Sequence, residues 1–151
     1  METGVGHACS APSLMSQDSL QVHSLGSHIT YHIRHHLTCK STYVVYLITC
    51  QACSAQYTGK TTETMHKRHS GHRREIEDQS TPLGRHFAMC GYSNFSLQII
   101  DCVKHGEEEA IMIVEAIWQK RLATFIQHGN FNVWDDLSTT RSTAFSSLFD
   151  L

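Results

Sequence analysis

The chain is expected to fold as a small α/β (α+β) domain, a three-stranded antiparallel sheet flanked by helices. Three observations predict this class. Tyr43 to Thr49 is dense in β-branched and aromatic residues, the composition of a buried strand. Two later segments carry helix-start signatures, one a Thr-Pro pair and one an acidic triplet. Between them, Phe95 to Val103 alternates or runs apolar in the manner of a third strand. The order strand, strand, helix, helix, strand, helix then leads to one mixed layer structure around a single core.

Each element has its own reason. Residues 1–38 read as a leader without regular structure, its first 30 residues rich in Ser, His and Gly and poor in periodicity, with a lead-in strand or a loop open over Tyr31 to His36. Gln56 to Thr58 is the short partner of the first strand, ending at Gly59, which suits a tight strand-to-helix turn. An N-cap at Thr61 or Thr62 opens a helix through about Glu75. Thr81 caps a second helix with Pro82 at its first position, running to Cys90 and stopping at Gly91. Glu107, Glu108 and Glu109 place negative charge at the start of the longest helix, 107–125. The folded domain is expected over 39–133, with a loosely ordered Ser/Thr-rich tail over 134–151.

Composition narrows the function classes. The 151 residues are 40% hydrophobic and 17% charged, ordinary values for a globular chain. No apolar run approaches the ~18 residues that cross a bilayer, and no basic-then-apolar secretory leader is visible. An intracellular, reducing setting is therefore expected, the nucleus included, with the six cysteines free or metal-bound rather than paired. The formal net charge of −2 argues against a bulk electrostatic binder of nucleic acid. Its distribution argues otherwise: Lys60 to Arg74 carries a local net of +4 on an otherwise acidic body.

The segment Val44 to Gly59 carries the chemistry. Tyr46 and Tyr57, eleven residues apart, flank a Cys50-x-x-Cys53 turn, so a hairpin would bring two phenols side by side. Arg68, on the following helix, offers a planar fork suited to phosphate, and His72 lies on the same helix face at i+4. Glu115 lies in an apolar stripe with Ile111 and Trp118, where a carboxylate is costly unless paired or metal-bound. The bland alternatives are sheet packing for the tyrosines and a solvated face for the basic helix. Cys50-x-x-Cys53 is half of a common zinc site, with buried free thiols as the plain alternative.

In their order and spacing these residues resemble the GIY-YIG nuclease domain, and within it the endonuclease module of Penelope-like retroelements. The signatures are Val44-Val45-Tyr46 and Tyr57-Thr58-Gly59, with Cys50 and Cys53 between them. Arg68, His72, Pro82, His86-Phe87, Glu115-x-x-Trp118, Leu122-x-Thr124 and Gly129…Asn132 follow, so the resemblance spans roughly residues 39–133. It implies a metal-dependent DNA endonuclease, a solitary, fragmentary or domesticated copy of such a module. Tyr46, Tyr57, Arg68, His72, Glu115 and Asn132 would be its catalytic residues, and Glu115 would hold one Mg²⁺ or Mn²⁺. Lys60, Lys67, Arg73 and Arg74 would contact the DNA backbone. It also implies a structural zinc on Cys50, Cys53 and His86. A second histidine is the usual fourth ligand, but this chain reads Gly91-Tyr92 there, and Cys90 at i+4 from His86 is the expected substitute. Val44 replaces the first signature's glycine, Thr58 an aliphatic, and the Gly129 to Asn132 spacing is one residue longer than usual. The alternative is a zinc-stabilised nucleic-acid-binding module without catalysis; a protein-interaction scaffold is the weaker third.

Overall fold

The computed structural model describes residues 21–124. Within them a three-stranded antiparallel sheet is built from β3 (Val44–Cys50), β4 (Gln56–Thr61) and β5 (Phe95–Cys102), in the order β4-β3-β5. Its register runs from Val44 opposite Thr61 to Thr49 opposite Gln56 on one side of β3. On the other side it runs from Val44 opposite Cys102 to Cys50 opposite Phe95. Helices α1 (Met65–Asp78) and α2 (Pro82–Cys90) and a 3-10 turn (Tyr92–Asn94) lie between β4 and β5, and α3 (Glu108–Arg121) follows. The expected α+β class is the observed one.

The central strand β3 is apolar on both faces because both are covered. Val44, Tyr46, Ile48 and Cys50 face a core that includes Met65 of α1 and Leu83 and Phe87 of α2. Val45 and Leu47 face the opposite core, made with Ile111, Trp118 and Leu122. A register shift between Val45 and Tyr46 inserts one extra residue in β5. Both Ile100 and Asp101 can then serve the α3 side, Ile100 in the core and Asp101 accepting from Trp118 Nε1 at 2.7 Å.

Both boundaries of α1 depart from expectation, each for a local reason. α1 starts at Met65, not after Thr61 or Thr62: Thr61 is still paired with Val44 in the sheet, and the Thr64 side chain accepts the capping bond from Lys67 N. The helix also runs past Glu75, since Ile76 packs on the core, and ends with Gln79 in the left-handed conformation at φ 50°. α2 has the expected Thr81 cap, Pro82 start and Gly91 stop.

The largest correction concerns the leader expected over 1–38. From Gln21 onward the chain carries a hairpin, β1 (Gln21–His23) paired with β2 (Thr30–His32). Val22 is fully buried against the α3 core, and Tyr31 meets the Trp118 ring edge-on at 5.4 Å. The hydroxyls of Ser27 and Tyr31 donate to the Arg121 carbonyl, and that of Ser24 donates to the Leu122 carbonyl at 2.6 Å. Carbonyls left over at a helix end need such partners. The hairpin thus caps α3 at Arg121, short of the expected 125, and the Gln56 side chain ties it to β4 through Leu25 N and His23 O.

Candidate functional site

Tyr57 stands opposite Ile48, and Gly59 opposite Tyr46, so both phenols lie on the α1–α2 face of the sheet. Their ring centroids are 6.4 Å apart. A Cβ built on Gly59 would lie 2.6 Å from the Tyr46 hydroxyl and 2.7 Å from Tyr57 Cε1. Gly59 is therefore needed as space for the two phenols, and not as the strand-to-helix turn expected of it.

α1 brings its polar face over this pair. The Tyr46 hydroxyl bonds His72 Nε2 at 2.8 Å and accepts from Arg68 Nε at 3.1 Å. Glu75, unremarked in the sequence, closes the network: its carboxylate accepts from Arg68 Nη1 at 3.3 Å, from His72 Nδ1 at 3.1 Å and from the Thr81 hydroxyl at 3.3 Å. The signal for Glu75 was present, since it falls at i+7 from Arg68 and i+3 from His72, on one helix face.

Burial raises Tyr46 well above the usual phenol range, and the charge of Tyr57 adds to this against the pull of Arg68. Burial, then the Glu115 carboxylate, pushes Tyr57 up to about 12. His72 is lowered, mainly by burial against the opposing bond to Glu75. Burial would raise Glu75, but His72, Arg68 and Thr81 together bring it below its ordinary value. At neutral pH the network is two neutral phenols, a neutral imidazole, a carboxylate and a guanidinium. Tyr46 is fully buried, whereas Tyr57 is half-buried.

Glu115 comes from α3 on the other side of the sheet and is close enough for its charge to act on both phenols. Its carboxylate also pairs with Lys60 Nζ at 3.6 Å. That ion pair accounts for the cost of a carboxylate among apolar neighbours, and Lys60 faces Glu115. Lys67, Arg73 and Arg74 are exposed on α1, where Lys67 pairs with Glu63 and Arg73 with Glu77 at 3.7 Å. Asn132 lies outside the described residues.

The thiols form a separate group at the far end of β3. The ligand atoms of Cys50, Cys53, His86 and Cys90 all lie within 4.8 Å of one another. Cys53 Sγ and Cys90 Sγ each approach His86 Nε2 to 3.4 Å. Zinc–sulfur bonds of about 2.3 Å and zinc–nitrogen bonds of about 2.0 Å at a tetrahedral centre require nearly this separation. Burial would raise the Cys50 thiol, but the backbone N–H groups of Cys53 and Ala52 aim at its sulfur and bring it below the ordinary value. Asn94 braces the cluster, accepting from Gln51 N through its carbonyl and donating to the Cys90 carbonyl. The four residues could hold a metal ion such as zinc.

Compared with protein-family models, curated proteins and solved structures, the chain matches none. Its departures from the expected pattern are therefore explained from its own contacts. Tyr92 turns away from the thiols, bonding His69 Nε2 at 3.1 Å and stacking on Phe95 with centroids 5.8 Å apart. Cys90 takes the ligand position instead, one helical turn from His86. Cys39 is not part of the cluster and is disulfide-bonded, which departs from the expectation of unpaired cysteines throughout. No helix among the described residues is long and apolar enough to cross a membrane.

Proposed function

We propose that the chain is a metal-dependent endonuclease of the GIY-YIG type that nicks DNA, closest in design to the Penelope-like module. One observation carries this reading: Tyr46, Tyr57, Arg68 and His72, scattered over 27 positions of sequence, form one contact group within reach of the Glu115 charge. A packing role for the tyrosines alone would not require an arginine, a histidine and a carboxylate around them. Tyr57, the more accessible phenol, would orient the attacking water. Arg68 would bind the phosphate and balance charge on its oxygens. Tyr46 and His72 act through Arg68 rather than on the substrate. Lys67, Arg73 and Arg74 would track the DNA backbone, and the products would carry a 5′-phosphate and a 3′-hydroxyl.

Glu115 is the carboxylate suited to one Mg²⁺ or Mn²⁺, which when bound supplies a Lewis acid and a more acidic water. Lys60 shares that carboxylate, so the cation would compete with or displace it. Cys50, Cys53, His86 and Cys90 would hold a structural zinc. A DNA substrate would fit an intracellular setting, the nucleus included.

Specific observations favour a second reading, a zinc-stabilised nucleic-acid-binding module without turnover. Glu115 already has a cationic partner, and Tyr46 is closed off from solvent. A supercoiled-plasmid nicking assay with Mg²⁺ or Mn²⁺ decides between them, comparing wild type with Glu115→Ala and Tyr57→Phe. Nicking by wild type and loss in both variants supports the nuclease. Binding without nicking at low salt supports the second reading, and equal nicking by all three points to a contaminant.

A further inference from the structure

Glu75 has no role in the functional reading above, yet its carboxylate accepts three side-chain hydrogen bonds beside the phenols. It bridges the two residues of α1 that reach Tyr46, and a third from the cap of α2. The directions of these bonds follow from chemistry. An ionised carboxylate only accepts, so His72 Nδ1 must carry its hydrogen towards Glu75. A neutral imidazole with a protonated Nδ1 has a bare Nε2, which can only accept, so the Tyr46 hydroxyl donates to it. Arginine has no acceptor, so Arg68 Nε donates to the same hydroxyl oxygen. Every bond in the chain Glu75, His72, Tyr46, Arg68 then has one allowed direction, and Glu75 is the group that sets it.

The same carboxylate engages Arg68 Nη1 while Tyr46 engages Nε. Two edges of the guanidinium are thus pinned, and Arg68 also bonds the phenol of Tyr57. A guanidinium held in this way loses little freedom on binding a phosphate oxygen.

We propose that Glu75 is a positioning residue that fixes His72 in the Nδ1–H tautomer and orients the Arg68 fork for a phosphodiester. The proposal rests on the nuclease reading for its purpose, but not for its geometry. A brace between α1 and α2 would need only the shape of the side chain, whereas this role needs a group that accepts and never donates. Glu75→Gln separates the two, because an amide keeps the shape but pairs with either imidazole tautomer.

The test uses full-length protein with ¹⁵N-labelled histidine, supplied with zinc but without Mg²⁺ or Mn²⁺, and long-range proton–nitrogen correlation to read both ring nitrogens of His72. Wild type is expected to show a protonated Nδ1 and a bare Nε2, and Glu75→Gln a mixture of tautomers with an otherwise unchanged amide spectrum. A protonated Nε2 in wild type overturns the proposal by itself, even if the variant does not fold. A variant that keeps the single Nδ1–H tautomer overturns it as well. In the nicking assay Glu75→Gln should lower kcat by about 10- to 100-fold with KM little changed, the scale of losing an orienting partner. An unchanged kcat contradicts the role. A wild type that nicks nothing sinks the nuclease reading instead, and the ring-nitrogen spectrum tells the two failures apart.

Discussion

The phenol network and the thiol cluster are built on the same hairpin and solve opposite problems. Around Tyr46 each named polar group already has a partner within the protein, and the Glu75 and Arg68 charges oppose each other. Around Cys50, three sulfurs and one imidazole nitrogen converge, with the Cys53 and Cys90 sulfurs each 3.4 Å from His86 Nε2. The first arrangement holds itself together and can wait for a substrate. The second would gain most of its cohesion from an ion, because only a cation gives thiolates a strong common partner.

That contrast can be tested, and the largest effect belongs to the thiols. Zinc at 1,000 times its dissociation constant should stabilise the protein by about 4 kcal/mol, read as a rise in the thermal midpoint that a chelator reverses. Cys90→Ser should lose most of that rise, and adding Tyr92→His should not restore it, since Tyr92 faces His69. Identical melts with and without zinc would remove the clip from the account.

Next comes Gly59→Ala, which acts on the phenols alone. Its methyl group would overlap the Tyr46 hydroxyl and the Tyr57 ring, at a cost of about 1–3 kcal/mol in denaturant melts. Nicking should be lost while zinc binding is kept. Loss of zinc binding together with nicking would mean that the two regions are not independent.

A smaller effect comes from acid. Burial, with the charges of His72, His66 and Arg73, lowers His69 to about 4 from an ordinary value of 6.5. Folding favours its neutral form, so its contribution is complete above pH 6.5 and is lost as pH falls towards 4. Between pH 7 and 5.5 the cost should be about 1 kcal/mol. His69→Gln should flatten the melting profile over that window, and an unchanged slope would contradict the assignment. The smallest effect is that of Tyr92→Phe, which removes one hydrogen bond to His69 and should cost about 0.5 kcal/mol. A loss of zinc affinity in that variant would place Tyr92 at the thiol cluster after all.

The residues that were legible and those that were not differ in the kind of information they need. Thr81, Pro82 and Gly91 announce α2 because caps and breakers act over a few neighbouring residues. Cys50, Cys53, His86 and Cys90 were legible as a set because the family resemblance implies the first three and one helical step from His86 supplies Cys90. Residues 21–32 were not, because short hydroxyl-rich segments look alike whether or not a helix end needs them; Ser24, Ser27 and Tyr31 acquire their role only beside Arg121 and Leu122. Gly59 was noticed for the wrong reason, since its lack of a side chain matters to rings on other residues.

Sequence by itself determined the class of the domain, the order of its elements from Val44 to Arg121 and the candidate residues. Alternation, helical period and capping are local properties of a chain. Tertiary structure alone decided that Glu75 closes the network, that Lys60 of β4 answers Glu115 of α3, and that an N-terminal hairpin caps α3. Each of these joins groups from separate elements or depends on what one helix face meets in space, and no spacing rule along the chain specifies such a meeting.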